Sequence, residues 1–245
     1  MRSQIIDINA DLGEGAGNDK QIMPMISSCN IACGGHYGDK KSMRTTIRLA
    51  QKHDVKIGGH PAFPDREDFG RKMLHLSKSE LQRSLEEQLD SFQEICQQEG
   101  VKIHHIKAHG ALYNQGSNHK DLVLAMIETF SKVENSPALY LQKDSLLHHS
   151  AKDSFPIRLE AFIDRAYANE NSLVSRTLTN ALISDPMEAW NQLISIFENQ
   201  TAIAINGNRI RIHADTFCIH GDQPNAVNTL NFIHEKLKEK DIQLA

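Results

Sequence analysis

The sequence predicts an α/β fold: a closed or nearly closed barrel of seven or eight strands, forming one domain over residues 1–245. Short apolar runs alternate with segments of helical periodicity along the whole chain, which favours parallel strands with helices outside them. Hydrophobic residues make up 40% and charged residues 24%, which suits a core of ordinary size. No linker, low-complexity tract or charge block divides the chain. An open, doubly wound sheet stays an alternative, because sequence alone does not show closure.

The predicted strands are short apolar runs bounded by turn residues. They are Ile5–Asn9, Ser28–Ile31, Val55–Gly59, Ile103–Lys107, Ala138–Leu141, Ile157–Ile163, Ala202–Ile205 and Thr216–Ile219.

The predicted helices lie between these runs, and two of them carry start signals. Ser77 and Glu80 form a capping box at the start of one helix, and Gly100 is a natural stop at the end of the same helix. Asp185 and Pro186 supply a cap and a pre-set first turn. The predicted helices are Lys41–Lys52, Ser79–Gln98, Lys120–Lys132, Met187–Asn199 and Asn225–Lys238.

Composition argues against several classes of partner. Net charge is −4, no basic run appears and aromatic residues make up 6%, so we expect neither nucleic acid nor an anionic membrane as a partner. The chain starts without the apolar stretch of a signal peptide and has no run long enough to span a bilayer. Four scattered cysteines are typical of reduced thiols, so we expect a cytoplasmic protein.

Polar residues cluster where the predicted strands end, and histidine beside glycine recurs there. Glycine permits sharp turns and close approach of the backbone to a ligand, while histidine, carboxylate and lysine can transfer protons or bind charge. Strand ends converge on one face of an α/β barrel, so these residues can share a cleft. They are Asn9, Asp11, Glu14, His36, Asp39, His60, Asp65, Lys107, His109, Asn114, His220 and Asp222.

Each segment also has a plainer interpretation. A single Gly-His at a strand end is more often a turn with a partly exposed histidine, so the functional signal is the recurrence. Asn9, Asp11 and Glu14 could cap a loop, and Asp39 could cap the next helix. A phosphate-binding P-loop, a G-x-S-x-G elbow, an H-E-x-x-H motif and a dinucleotide fingerprint are all absent from the sequence. A serine triad or Rossmann oxidoreductase is therefore disfavoured.

Seven ordered blocks resemble the LamB/YcsF family, the A-type component of bacterial ATP-dependent 5-oxoprolinase. They are D-I-N-A-D-L-G-E-G, N-I-A-C-G-G-H-Y-G-D, G-G-H-P-A-F-P-D, F-G-R-K, K-A-H-G-A-L-Y-N, D-R-A-Y and C-I-H-G-D-Q-P-N-A-V. The resemblance implies a seven-stranded barrel similar to that of glycoside hydrolases and deacetylases. It also implies ATP-coupled opening of the lactam of 5-oxo-L-proline, with B- and C-type subunits as partners. Gly35, Tyr37, Ala108 and Ile163 depart from the family's usual residues.

Roles follow from the resemblance as hypotheses. Asp11, Lys107 and His109 are the expected catalytic residues: Lys107 would stabilise anionic oxygens, and Asp11 or His109 would be the general base. Arg71 and Arg165 could grip carboxylate or phosphate, or form structural ion pairs. The expected substrate-binding residues are Asn9, His36, His60, Arg71, Asn114, Arg165, His220 and Asp222.

Two other functions stay open. In a metal-dependent deacetylase, Asp11, His36, His60 and His109 could supply the ligands of a divalent ion. In a non-catalytic subunit, the chain would only bind the lactam for its partners. The sequence does not say whether ATP binds this chain or another subunit.

Overall fold

The computed structural model describes residues 4–223 and 225–245, and its centre is a closed barrel of seven parallel strands. The barrel strands are β2 (Ile8–Leu12), β3 (Ser28–Ala32), β4 (Lys56–His60), β5 (His105–Ile106), β6 (Ala138–Leu141), β7 (Ile157–Phe162) and β12 (Thr216–His220). Each pairs in parallel with the next, and β12 closes the circle between β7 and β2. The predicted α/β barrel and its seven strands are confirmed. The predicted single domain over residues 1–245 remains a prediction, and residues 1–3 lie outside the described residues.

The remaining strands form small pairs outside the barrel. They are β1 (Gln4–Ile6) with β13 (Ile242–Leu244), β8 (Tyr167–Asn169) with β9 (Ser172–Leu173), and β10 (Thr201–Ile203) with β11 (Arg209–Arg211).

Two predicted strands differ from the structure. The run Ile5–Asn9 is divided, because β1 pairs with the last strand of the chain while β2 enters the barrel at Ile8. The prediction that Ala202–Ile205 forms a strand of the barrel was wrong. Its first residues belong to the antiparallel hairpin of β10 and β11. Ile203 and Ile205 are 57% and 51% exposed, whereas Ala202 and Ala204 are buried, so only one side of this run is covered.

The five predicted helices are confirmed, with small shifts at their ends, and three short helices were not predicted. The helices are α1 (Asp19–Ile22), α2 (Lys40–Lys52), α3 (Lys78–Gln98), α4 (Gly110–Asn114), α5 (Lys120–Phe130), α6 (Leu146–Ala151), α7 (Pro186–Asn199) and α8 (Ala226–Glu239). The capping box of α3 forms, since the Glu80 amide donates to Ser77 Oγ at 3.3 Å and the Ser77 amide donates to Glu80 Oε2 at 2.8 Å. The Asp185 carboxylate caps α7 by accepting from the amides of Met187 and Glu188, both at 2.9 Å.

Helix α3 shows how the outer layer is fixed to the barrel. Its apolar series buries one face, on which Leu85 and Phe92 are both fully buried. Gly59 of β4 lets this helix approach, because a Cβ at that position would come within 3.2 Å of the Phe92 ring. No helix in the described part of the chain is both long and apolar enough to cross a membrane.

Substitution Leu85→Ala should lower the free energy of unfolding by about 2–5 kcal/mol, because it leaves a cavity in the packed face of α3. Leu124→Ala on α5 is the matched control, since Leu124 is 39% exposed. Urea denaturation followed by circular dichroism measures both. Equal effects of the two substitutions would contradict the burial described for α3.

Candidate active site

A cavity of about 480 Å³ opens at the carboxyl ends of the barrel strands. Asp11 reaches it from β2, His60 from β4 and His220 from β12, while Lys107 and His109 follow β5. This is the face on which α/β barrels carry their chemistry.

At the floor of the cavity, the ammonium of Lys107 lies between buried acidic groups. Its Nζ is 2.9 Å from Asp11 Oδ1, 3.0 Å from Glu160 Oε1 and 3.0 Å from Cys218 Sγ. Burial alone would lower the pKa of Lys107, but the charges around it, led by that of Asp11, hold this pKa well above its usual range. The ammonium donates hydrogen bonds to Asp11 and Cys218, and Glu160 lies within ion-pair distance without accepting a hydrogen bond.

Asp11 is held as a carboxylate. Burial would raise its pKa, but His60 and Lys107 outweigh burial and keep the pKa well below its usual range. Asn30 also donates to Asp11 Oδ1, at 2.7 Å. A carboxylate stabilised in this way is a weak general base, because it gives up much of this stabilisation when it takes a proton.

A chain of polar side chains runs down the barrel from Asp11. Asn30 donates to Asn9 Oδ1 at 2.8 Å, Asn9 donates to Thr216 Oγ1 at 2.8 Å, and Thr216 donates to Asp7 at 2.6 Å. Asn9 is fully buried in this chain and is not on the cavity wall. Its contacts therefore support the barrel interior beneath the site.

His220 and Asp164 form a dyad at one side of the cavity. His220 Nδ1 lies 3.0 Å from Asp164 Oδ1, and the His220 amide donates to Asp164 Oδ2 at 2.9 Å. Gln223 donates to the same Asp164 Oδ2 at 2.8 Å. The carboxylate therefore places the proton of His220 on Nδ1. His220 Nε2 lies 3.9 Å from Asp11 Oδ2, and the residue lines the cavity.

His60 and His109 are each anchored by a carbonyl oxygen. His60 Nδ1 donates to the Lys107 carbonyl at 2.8 Å, and His109 Nε2 donates to the Phe69 carbonyl at 2.9 Å. A carbonyl only accepts, so each of these nitrogens carries a proton. The inner nitrogens, His60 Nε2 and His109 Nδ1, face each other at 2.9 Å.

Glu14 and His36 lie beside this pair. His36 Nε2 is 2.7 Å from Glu14 Oε1, and the rings of His36 and His109 stack in parallel with centroids 3.7 Å apart. Burial, with Asp11 adding to it, raises the pKa of Glu14 to about 7. Burial lowers the pKa of His36 to about 3. His36 is buried behind His109 and is not on the cavity wall.

Three arginines surround the opening of the cavity. Arg71 forms an ion pair with Asp222, and Arg176 lies 3.9 Å from the same carboxylate. Arg165 is buried, and its guanidinium donates to the carbonyls of Val174 at 2.7 Å and Ala181 at 3.4 Å. Burial, with Arg176 adding to it, lowers the pKa of Arg165 to about 10, which leaves the group cationic at neutral pH.

The structure brings most of the sequence-predicted residues to one cavity. Those on its wall are Asp11, His60, Arg71, Lys107, His109, Asn114, Arg165 and His220. Asn114 donates to the Gly110 carbonyl of its own helix at 2.9 Å. Three predicted residues are not on the wall. Asn9 lies beneath the cavity, His36 lies behind His109, and Asp222 lies at the opening.

Sequence reasoning assigned no role to four residues of the site. Asp164 stands in the D-R-A-Y block and Asn30 begins the N-I-A-C-G-G-H block, so both carried a signal. Glu160 and Arg176 carried none. Glu160 reaches Lys107 because β7 places it inside the barrel, where its side chain is fully buried.

Gly35 departs from the family's usual residue, and Gln88 of α3 packs against it. The Gln88 side chain occupies the space that a larger residue would need, since a Cβ at position 35 would lie 2.5 Å from Gln88 Oε1. Gln88 accepts from the Ala62 amide at 3.0 Å and donates to its carbonyl at 2.9 Å. A polar side chain of the outer layer thus supports the loop after β4.

Substitution Lys107→Met should lower the free energy of unfolding by about 3–5 kcal/mol, because two buried carboxylates lose their cation. Lys40→Met is the matched control: Lys40 pairs with Glu94 on the surface, where both side chains are at least half exposed, and little should change. Chemical denaturation at neutral pH measures both. If the Lys107→Met protein were as stable as the parent, the stabilising role of Lys107 between Asp11 and Glu160 would be contradicted.

Comparison with known proteins agrees with this fold. The family model described as "LamB/YcsF family" matches residues 6–245. The 5-oxoprolinase A-type subunit of Staphylococcus carnosus is 38% identical, over 98% of this chain and 97% of that protein. The crystal structure of the lactam utilization protein from Thermus thermophilus superposes with a TM-score of 0.90 at 32% identity, covering 98% of this chain and 99% of that one.

A more distant structure shares the fold alone. A GH18 chitinase from Pseudoalteromonas aurantia gives a TM-score of 0.54 at 8% identity, covering 94% of this chain and 100% of that one. The expected similarity to glycoside hydrolase barrels is therefore confirmed. The family model spans nearly the whole chain, and the more similar relatives agree with it: the chain belongs to the LamB/YcsF family.

Proposed function

We propose that this chain is the A-type subunit of an ATP-dependent 5-oxoprolinase, which opens the lactam ring of 5-oxo-L-proline to give L-glutamate. B- and C-type subunits are its partners. The names of the Staphylococcus carnosus relative and of the Thermus thermophilus lactam utilization protein support the substrate class. The enzyme acts in the cytoplasm, where its four buried free cysteines stay reduced.

The observation that carries the proposal is the His220–Asp164 dyad, which faces a cavity next to the Asp11 carboxylate. Opening an amide ring needs water to lose a proton as it attacks and the ring nitrogen to gain one as it leaves. A histidine with a proton fixed on Nδ1 and a free Nε2 can do both in turn. We therefore assign the general base to His220, in place of Asp11 or His109.

The other catalytic residues support this histidine. Asp11 is ionised and lies near His220 Nε2, so it stabilises the imidazolium that forms when His220 takes a proton. Lys107 keeps Asp11 ionised and contributes positive charge beneath the reacting atoms. Since it is buried and already bonded to Asp11 and Cys218, it acts mainly as a positioning residue.

Arginines at the opening provide the site for anionic groups. Arg71, Arg165 and Arg176 carry three positive charges against the two carboxylates of Asp222 and Asp164, so positive charge is in excess here. Guanidinium groups suit the carboxylate of 5-oxoproline and a transferred phosphoryl group alike. ATP coupling is required because closure of the glutamate ring is favourable. The sequence has no P-loop, so we place ATP on a partner subunit or at a surface shared with it.

Substitution His220→Asn should lower kcat for ATP-dependent glutamate release by about 10²–10⁴-fold in the reconstituted complex, because proton transfer is lost. Asp164→Asn should lower kcat with a smaller change in KM, because the wrong ring nitrogen then carries the proton. His53→Gln is the control, since His53 caps α2 and does not line the cavity. Near-normal kcat for His220→Asn would overturn the assignment.

Substitution Asp11→Asn keeps the shape of the side chain and removes its charge, and it should abolish glutamate release. Isotope-labelled 5-oxo-L-proline binding to the isolated chain is measured in parallel. Full activity of Asp11→Asn and His220→Asn complexes, with binding retained, would instead indicate a non-catalytic subunit that delivers the lactam to its partners.

A further inference from the structure

Beside the cavity, three side chains aim ligand atoms at one point. His60 Nε2 and His109 Nδ1 are 2.9 Å apart, and Glu14 Oε1 lies 3.8 Å from the first and 3.3 Å from the second. All three side chains are almost completely buried. The cluster spans the loop after β2, the end of β4 and the segment after β5, so the closed barrel is what assembles it.

The hydrogen bonds that the outer ring nitrogens donate leave the inner nitrogens of neutral His60 and His109 without protons. His60 Nδ1 and His109 Nε2 both donate to carbonyl oxygens, so in neutral rings both inner nitrogens present lone pairs to each other. Two lone pairs at 2.9 Å repel unless a proton or a metal ion is shared between them. One shared proton would satisfy that single contact, but two buried carboxylates also face these inner nitrogens. Glu14 Oε1 lies 3.3 Å from His109 Nδ1 and Asp11 Oδ2 lies 3.4 Å from His60 Nε2, which favours an ion of higher charge.

We propose that Glu14, His60 and His109 bind a divalent transition-metal ion, with zinc as the best match. Two imidazole nitrogens and a carboxylate oxygen are a donor set that zinc binds, with a further position left open. Zinc bonds of roughly 2.0–2.2 Å place neighbouring ligand atoms about 3.3–3.6 Å apart, and the three observed separations bracket this range.

The surroundings have the form expected around such an ion. Metal-binding histidines usually donate their other ring nitrogen to a carbonyl or carboxylate, as His60 and His109 do. His36 is the positioning residue of the site: its Nε2 lies 2.7 Å from Glu14 Oε1. Because its Nε2 bonds to Glu14 and its ring stacks on that of His109, we place His36 beside the ion and not among its ligands.

The open position lies toward the cavity, because His60 and His109 are on the cavity wall and Glu14 is not. A metal bound here would polarise an oxygen of the substrate or of water. The inference does not rest on the proposed function, since metal binding is measured without substrate or partner subunits.

The test is metal uptake by the full-length chain after chelator treatment. Elemental analysis after dialysis against zinc should give one zinc ion per chain. Titration with cobalt(II), followed by visible absorption, should saturate at one equivalent. His60→Gln, His109→Gln and Glu14→Gln should each abolish uptake. His36→Gln should keep the single ion with about 10–100-fold weaker affinity.

The matched control is the double substitution His148→Ala and His149→Ala. With Asp144, these histidines form an exposed cluster that could also hold a metal. If the inference is correct, the double variant takes up the ion unchanged. Absence of uptake by the parent, loss of uptake in the double variant, or complete loss in a folded His36→Gln protein would overturn it.

If the ligand variants fail to fold, crystals of the parent protein provide the test. Crystals soaked in zinc should show anomalous density between Glu14 Oε1, His60 Nε2 and His109 Nδ1. Density only at the exposed cluster, or none, would contradict the proposed ligands.

Discussion

The ammonium of Lys107 lies in the barrel between Asp11 on β2 and Glu160 on β7, and the site is built around this contact. Burying a lone carboxylate costs several kcal/mol, so Asp11 would not stay ionised here without the cation. The cluster joins strands far apart in sequence and holds Asp11 ionised at the floor of the cavity. His220 and His60 then take their positions around a fixed negative charge.

Around this cluster the barrel divides its polar and apolar surfaces. The outer faces of the strands pack against helices such as α3, while the interior carries the chain from Asp11 through Asn30 and Asn9 to Thr216. Each interior amide has a partner, so these polar groups are buried at little cost. The result is a rigid floor, with the reactive groups presented only at the carboxyl ends of the strands.

The alternation of apolar runs and helical segments was enough to predict a parallel α/β fold, because the period of each segment reflects which of its faces is buried. Closure into seven strands was implied by the family resemblance. The alternation failed at Ala202–Ile205, where a half-exposed hairpin outside the barrel has the same local pattern as a buried strand. In the site, recurring Gly-His steps predicted the gathering of Asp11, His60, His109 and His220. Glu160 and the pairing of Asp164 with His220 were beyond reach, since they depend on which strands become neighbours and on their register.

The central claim is that the substrate is opened at the carboxyl end of the barrel, beside His220 and Asp11. A crystal structure with 5-oxo-L-proline tests it most directly. The account predicts the lactam in this cavity, with the ring carbonyl near His220 Nε2 and the substrate carboxylate at the arginines. Binding at the other end of the barrel, in the cavity lined by Lys56, Lys102 and His104, would contradict it.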